Sequence, residues 1–281
     1  MLPLGSKLDA GAILSGLLTR WLGRTLRILD ECSSTNDVAK AMAENGAPHG
    51  LVVVAETQTA GRGRLGHVWY SPRGGIWLSI LVRTPREDSL NSLPLVAALG
   101  VAKALEKWGV EAKVRWPNDV VVEGRKISGV LVETTSKGNA LVYAVVGLGI
   151  DANFDTELIG EIRRNSISMQ SILGECIDRE GLIVDLLSGF EEFYDCLHTS
   201  RAEDLERTLR RFDWSRGQHV IVKCEGKTIE GIISDYEGLD AVRIATVDGD
   251  LRVDNSEAIS VEYQFDKLAK ERGALPQPNK R

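Results

Sequence analysis

The sequence predicts an α+β fold followed by a small β-barrel. Three observations predict it. Helical and strand-like runs mix without strict β-α-β alternation, which argues against a doubly wound sheet. Three strand-like runs follow one another closely between residues 114 and 150. The texture then changes near Trp214-Ser215-Arg216-Gly217 to short strands at regular spacing.

The elements justify this in order. Leu8, Ile13, Leu14, Leu17, Leu18, Trp21 and Leu22 fall mostly at three-to-four spacing and predict a helix over 7–22. Thr25 to Leu29 reads as a strand. Ser33, Ser34, Thr35 and Asn36 offer N-caps for a helix over about 37–45, which stops at Asn45-Gly46. Leu51 to Ala55 is a continuous apolar, mostly β-branched run, and so a buried strand. Residues 57–67, rich in glycine and arginine, predict a mobile loop. Ile76 to Arg83 resumes a strand, and Leu95, Ala98, Leu99, Ala102 and Leu105 give a helix over 95–108 one apolar face. Strands follow at 114–116, 126–133 and 141–150, separated by turn signals at Pro117-Asn118-Asp119, Glu123-Gly124 and Lys137-Gly138-Asn139. Helices return at about 168–174, 181–199 and 202–211. Strands at 219–224, 227–235, 240–246 and 249–254, linked by Glu225-Gly226, Glu237-Gly238 and Asp248-Gly249, make the barrel. The expected organisation is a helical lead (1–23), a main domain (24–214), a barrel (215–264) and a polar, frayed tail (265–281).

Composition narrows the function classes. The 281 residues are 43% hydrophobic and 26% charged, as expected of a globular protein. The formal charge of −6 argues against bulk nucleic-acid binding, because a phosphate-neutralising surface carries a basic excess. No apolar run approaches the roughly 20 residues that span a bilayer, and the first residues lack a signal-peptide pattern. A cytoplasmic protein is expected. Cys32, Cys176, Cys196 and Cys224 are scattered without a Cys-x-x-Cys pair, and His49, His67, His198 and His219 lack ligand spacing, so a His/Cys metal site is not expected.

The motifs carry more. Gly61, Gly63 and Gly66 match G-x-G-x-x-G, but His67-Val68-Trp69-Tyr70-Ser71-Pro72 follows, which opens no helix. The other kinase motifs are missing, and no P-loop motif occurs. Arg62 and Arg64 between the glycines make an anion cradle of backbone N–H groups and two guanidinium forks. Pro117-Asn118-Asp119 is either a plain turn or a fixed presentation of an amide and a carboxylate. Lys126, seven residues on, can supply a point charge to a carboxylate or an α-phosphate. Gly147 and Gly149 permit either close packing or the approach of a flat ligand.

The order of these motifs is more specific than any one. Ser-Ser-Thr-Asn, Glu-Thr-Gln-Thr-Ala-Gly-Arg-Gly-Arg-x-Gly, Trp-Pro-Asn-Asp, Arg-Lys-Ile-Ser-Gly-Val-Leu-Val-Glu and Gly-x-Gly-Ile together resemble the biotin protein ligases. The resemblance covers about residues 24–154 and extends more weakly to about 262. It implies a catalytic domain similar to class II aminoacyl-tRNA synthetases, with an SH3-like C-terminal barrel. It also implies that biotin and ATP, with Mg²⁺, give biotinyl-5′-AMP. The ε-amine of a lysine on a biotin carboxyl carrier protein then attacks that anhydride. Some members add an N-terminal DNA-binding domain, and the roughly 24 residues that precede the catalytic domain here are too few for one. No nucleic-acid or membrane partner is expected.

The resemblance also assigns roles. Ser34, Thr35 and Gln58 match residues holding the biotin ureido ring, and Gly61 and Arg62 the loop closing over biotin and the adenylate. Arg64 matches an arginine that retains the intermediate. Lys126 matches the lysine reaching the biotin carboxylate and α-phosphate, with Gly129 beside it at the biotin site. Lys126, Arg62 and Arg64 are the expected catalytic charges. Trp69, Asn118, Asp119 and Asn153 are expected on the adenylate side. Leu65 and His67 depart from a family loop richer in basic residues, and Asp151 stands where the family pattern has asparagine. An acid there either binds a metal or repels the nucleotide. Ser256-Glu257-Ala258 replaces the common Gly-Glu-Val. Gly75 to Arg83 reads as an edge strand, through which the family's sheet pairing would form a homodimer. Rival readings are a lipoate or octanoate transferase on the same fold, a non-catalytic biotin sensor, and a loop-mediated RNA binder. Trp-Pro-Asn-Asp with the Gly-Arg-Gly-Arg loop favours biotin.

Overall fold

A computed structural model describes residues 7–83, 87–137, 140–160, 165–199 and 201–264. The predicted frayed tail and the turn at Gly138-Asn139 lie outside them, as do the first six residues of the lead. The chain divides into two compact units, with the boundary between Asp213 and Trp214.

The first unit is built on a seven-stranded sheet of order β1-β2-β3-β7-β6-β5-β4. The strands are β1 (Leu26–Cys32), β2 (Val52–Gln58), β3 (Ile76–Arg83), β4 (Lys113–Arg115), β5 (Asp119–Val122), β6 (Arg125–Lys137) and β7 (Ala140–Ile150). Only β1 and β2 pair in parallel. The mixed architecture agrees with the α+β expectation. β3 is not an edge strand as predicted. It lies between β2 and β7, and every residue from Ile76 to Val82 is buried. It is hydrogen-bonded on both sides, whereas an apolar run in the sequence reports burial of the faces and not pairing of the edges. The sequence also misses β5. Pro117-Asn118 does turn the chain, through a cis Trp116–Pro117 bond, but Asp119–Val122 then pairs with both β4 and β6.

The α-helices among the described residues of the unit are α1 (Ala10–Gly16), α2 (Thr35–Glu44), α3 (Leu93–Lys107), α4 (Met169–Leu173), α5 (Arg179–Leu197) and α6 (Ala202–Phe212). The predicted helix over 7–22 is reduced to α1. Asp9 caps it by accepting from the Ala12 N–H at 3.0 Å. Beyond it, the N–H groups of Arg20, Trp21 and Leu22 all donate to the Glu191 carboxylate. That carboxylate satisfies three donors that a helix would have used internally, so the chain leaves the helical path. α2 packs Ala39 and Ala43 on Leu51, Val53, Leu81, Tyr143 and Val145. α3 meets α5 where Gly100 and Gly189 lie back to back. A Cβ on Gly100 would sit 3.1 Å from the Phe190 nitrogen.

The second unit is an antiparallel sheet of order β11-β10-β9-β8-β12. It comprises β8 (His219–Cys224), β9 (Lys227–Glu237), β10 (Ala241–Thr246), β11 (Gly249–Asp254) and β12 (Ser260–Tyr263). The four predicted strands are present, but the barrel does not close: β11 and β12 each pair on one side only among the described residues. β12 escaped the sequence reading because four residues are too short to show alternation. Tyr263 anchors it by donating to Ser215 Oγ at 3.1 Å. No described helix is long and apolar enough to cross a membrane.

A buried ion pair ties the first unit together. Arg179 Nη1 donates to Glu56 Oε2 at 2.8 Å and to the Gly75 carbonyl at 3.1 Å, and Glu56 Oε1 accepts from the Leu8 N–H at 2.6 Å. Removing one partner strands a buried charge, which costs about 3–5 kcal/mol. Arg179→Met should therefore lower stability by about that amount in urea unfolding, and adding Glu56→Gln should recover part of it.

Candidate active site

The site grows from one face of the central sheet. Because strand side chains alternate, Trp77, Ser79 and Leu81 of β3 share a face. The register aligns Trp77 with Gly149 and Gly129, Ser79 with Gly147 and Leu131, and Leu81 with Val145 and Glu133. The paired glycines leave a flat floor, and the Trp69 indole lies on it. A Cβ at Gly129 would stand 3.1 Å from Trp69 Cζ3, and one at Gly149 would collide with Trp69 Nε1. Trp69 also meets Trp77 edge-on, with centroids 6.4 Å apart. Its Nε1–H is buried without a hydrogen-bond partner. A buried unpartnered donor is costly.

The predicted mobile loop is folded back on itself. Trp69 N–H donates to the Gly61 carbonyl at 2.9 Å, and Gly63 N–H to the His67 carbonyl at 2.8 Å. Gly61 permits this closure, since a Cβ there would lie 2.6 Å from Ser71 Oγ. A short 3₁₀ turn spans Arg64–Gly66, with Leu65 in the left-handed region at φ 57°.

At the start of α2, Thr35 N–H and Oγ1–H both donate to Gln58 Oε1, at 2.8 and 3.1 Å. Gln58 Nε2 donates to Ser71 Oγ at 2.9 Å, and Ser71 Oγ donates to the Trp69 carbonyl at 3.1 Å. Ser79 Oγ lies 2.7 Å from Thr35 Oγ1 and 2.5 Å from Asn36 Oδ1. Ser34 sits at the N-cap position, buried, without making a side-chain cap.

Lys126 Nζ stands 5.0 Å over the Trp69 ring and 2.6 Å from Asp119 Oδ1. Arg115 also pairs with Asp119, at 3.0 Å. Burial pushes the Asp119 carboxyl up, but Lys126 and Arg115 together outweigh it and hold the group below the usual carboxylate range. Burial depresses the Arg64 guanidinium, and the Asp119 charge opposes that shift. Lys126, Gly129, Trp69, Asp119 and Arg64 are thus one neighbourhood.

Three of the expected site residues, Arg62, Asn118 and Asn153, are engaged within the protein. Arg62 donates to Asp37 at 2.6 and 2.9 Å and to Glu133 at 3.0 and 3.1 Å. Asn118 and Asn153 are engaged by backbone. Asn118 Nδ2 donates to the Val130 carbonyl at 2.7 Å. The Asn153 amide accepts from the Ile177 N–H at 2.9 Å and donates to its carbonyl at 2.8 Å. Among the described residues Asp151 is not part of a group of three or more His, Cys, Asp or Glu able to hold an ion.

Sequence reasoning missed Asp37, Lys40, Ser71, Ser79 and Glu133. Ser79 carried a legible signal, a lone hydroxyl inside the apolar run from Ile76 to Val82. The others are paired only by the fold.

Asp151 is 2% exposed. Burial raises its carboxyl well above the ordinary range, and Lys126 offsets this only in part. A raised folded-state value means that stability is present at low pH and is lost as pH rises past the unfolded value of about 3.9. Asp151→Asn should therefore raise the melting temperature at pH 8 by roughly 2–4 °C, for about 1 kcal/mol, and the gain should shrink toward pH 4. Melting curves across that range check this.

Comparison with known proteins agrees with this geometry. The Biotin/lipoate A/B protein ligase family matches residues 29–151. The Bifunctional ligase/repressor BirA of Bacillus spizizenii is 37% identical over 193 residues, covering 67% of this chain and 59% of that protein. The chain thus spans 59% of the length of that curated relative. The Biotin--[acetyl-CoA-carboxylase] ligase of Paracoccus denitrificans is 29% identical over 220 residues, covering 76% of this chain and 90% of that protein. Among solved structures, the biotin protein ligase from Aquifex aeolicus in complex with biotin and ATP superposes with a TM-score of 0.77. It is 30% identical and covers 85% of this chain and 99% of that one. With its glycine-floored sheet face, its folded-back arginine loop and these relatives, the chain belongs to the biotin protein ligase family.

Proposed function

We propose that the chain activates biotin with ATP to biotinyl-5′-AMP and pyrophosphate. It then transfers biotin to the ε-amine of a lysine on a biotin carboxyl carrier protein, releasing AMP. One observation carries the reading. A polar pair, Thr35 with Gln58, and a lysine, Lys126, flank a flat floor of paired glycines. A ureido ring needs an acceptor for its N–H groups and a donor for its carbonyl, and the threonine and glutamine side chains offer both. Ser34 stands beside them. A carboxylate and an α-phosphate that must approach each other need a cation between them. Lys126 is that cation, with Asp119 fixing its position before substrate arrives.

The chemistry requires no nucleophile from the protein. The biotin carboxylate attacks the α-phosphorus and pyrophosphate leaves. The lysine amine then attacks the acyl carbon and AMP leaves. Catalysis consists of alignment and charge stabilisation. Trp69 forms an aromatic surface for the adenylate, and Arg64 retains the intermediate until the carrier arrives. Mg²⁺ enters as the companion of the triphosphate and keeps most of its shell of phosphate and water. The resemblance extends this reading to a synthetase-like catalytic unit and an SH3-like second unit, which we take as the family's architecture. Dependence on ATP fits a cytoplasmic setting. Pairing of two copies through the sheet would use β1 or β4, since β3 is enclosed.

Purified protein with biotin and ATP should release pyrophosphate and then label a carrier domain. Turnover with octanoate and none with biotin would instead assign the lipoate branch. Lys126→Ala should slow adenylate formation by about 10²-fold or more, the size of losing one charge-stabilising donor. Near-normal pyrophosphate release would remove that role. Arg64→Gly should let biotinyl-5′-AMP escape, read as biotinylation of bystander proteins above the wild-type level.

A further inference from the structure

Glu133 closes the Arg-Lys-Ile-Ser-Gly-Val-Leu-Val-Glu run, yet the roles above do not use it. On β6 it lies beside Val145 and faces α2. Its carboxylate gathers three donors from two separate segments: Asn36 Nδ2 at 2.6 Å, Lys40 Nζ at 3.0 Å, and Arg62 Nη2 at 3.0 Å. Burial pushes the carboxyl up, but these contacts outweigh it and keep the group ionised below its usual range. Arg62 completes the bridge with a two-pronged contact to Asp37 on the first turn of α2.

Hydrogen bonds continue from Glu133 without a break. Ser79 donates to Asn36, Thr35 Oγ1 lies against Ser79 Oγ, the Thr35 N–H donates to Gln58, Gln58 meets Ser71, and Ser71 meets the Trp69 carbonyl. The path therefore begins at the Arg62 end of the loop, crosses the Thr35–Gln58 pair and returns to the loop at Trp69. One carboxylate holds the loop through Arg62 and orients the pocket through Asn36.

We propose that Glu133 is a positioning residue that closes the 61–69 loop and sets the Thr35–Gln58 pair in a single arrangement, so that ligand affinity depends on a charge that touches no ligand. The identity of that ligand rests on the biotin reading above, whereas the loop coupling does not.

The test uses Glu133→Gln in the full chain, which keeps an acceptor for Asn36 and removes the charge facing Lys40 and Arg62. Without ligand, trypsin cleavage after Arg62 and Arg64 should speed up roughly fivefold, the size expected for one partly exposed charged contact. The KM for biotin should rise by at least as much, with kcat changed less. Asp37→Asn cuts the same arginine from α2 at a more exposed position and should move cleavage in the same direction. It also serves if Glu133→Gln does not fold. Unchanged loop cleavage in the folded variants overturns the proposal, as does a fall in melting temperature with no change in cleavage or in KM. If the wild type makes no biotinyl-5′-AMP, the function reading fails, and the cleavage experiment still decides the role of Glu133.

Discussion

The site depends on how closely α2 and the 61–69 loop can approach the sheet. That approach is set by side chains that are missing. Gly129, Gly147 and Gly149 occupy positions on β6 and β7 where the strand pattern calls for bulky residues. Asn36 fits against Gly147 and Trp69 lies on the Gly129–Gly149 pair. A methyl group at Gly129 would meet Lys126 Cε 2.9 Å away as well as the indole. The close-packed interior on either side leaves no room to relax. The missing side chains of these glycines are thus the room that Trp69 and Asn36 occupy.

Charge is organised around that floor in two separate groups. Asp119 with Arg115 and Lys126 forms one, and Asp37 and Glu133 with Lys40 and Arg62 the other. In the first, the carboxylate holds Lys126 in place, so little reorganisation is needed when an anion arrives, whereas the second ties the 61–69 loop to α2 and β6. Asp151 differs. It is buried, which raises its carboxyl well above the ordinary range, and Lys126 offsets this only in part.

Much of this was legible in the residues. The strand from Ile76 to Arg83 and the helices α3, α5 and α6 follow directly from apolar periodicity. The lead helix was misread because its apolar spacing is real, while the Glu191 carboxylate that draws off the Arg20, Trp21 and Leu22 N–H groups lies about 170 residues away. Periodicity reports the preferences of a segment and carries no information about a distant acceptor. The closed barrel was overstated for a related reason: strand spacing predicts strands, and closure depends on whether the two outer strands find each other.

The sequence by itself determined the ordered set of chemical groups: glycines and arginines in the loop, the Lys126 charge, the Ser-Ser-Thr-Asn turn and the glycines of β7. These are local and survive reading in one dimension. Only the tertiary structure decided that Arg62 faces Asp37 and Glu133, that Asn118 and Asn153 bind backbone, and that Ser79 joins Thr35 to Asn36. Ion pairs and side-chain hydrogen bonds extend only about 3 Å, so their partners are chosen by strand register and helix placement. The motif order named the chemistry, and the register of three strands assigned each side chain its contact.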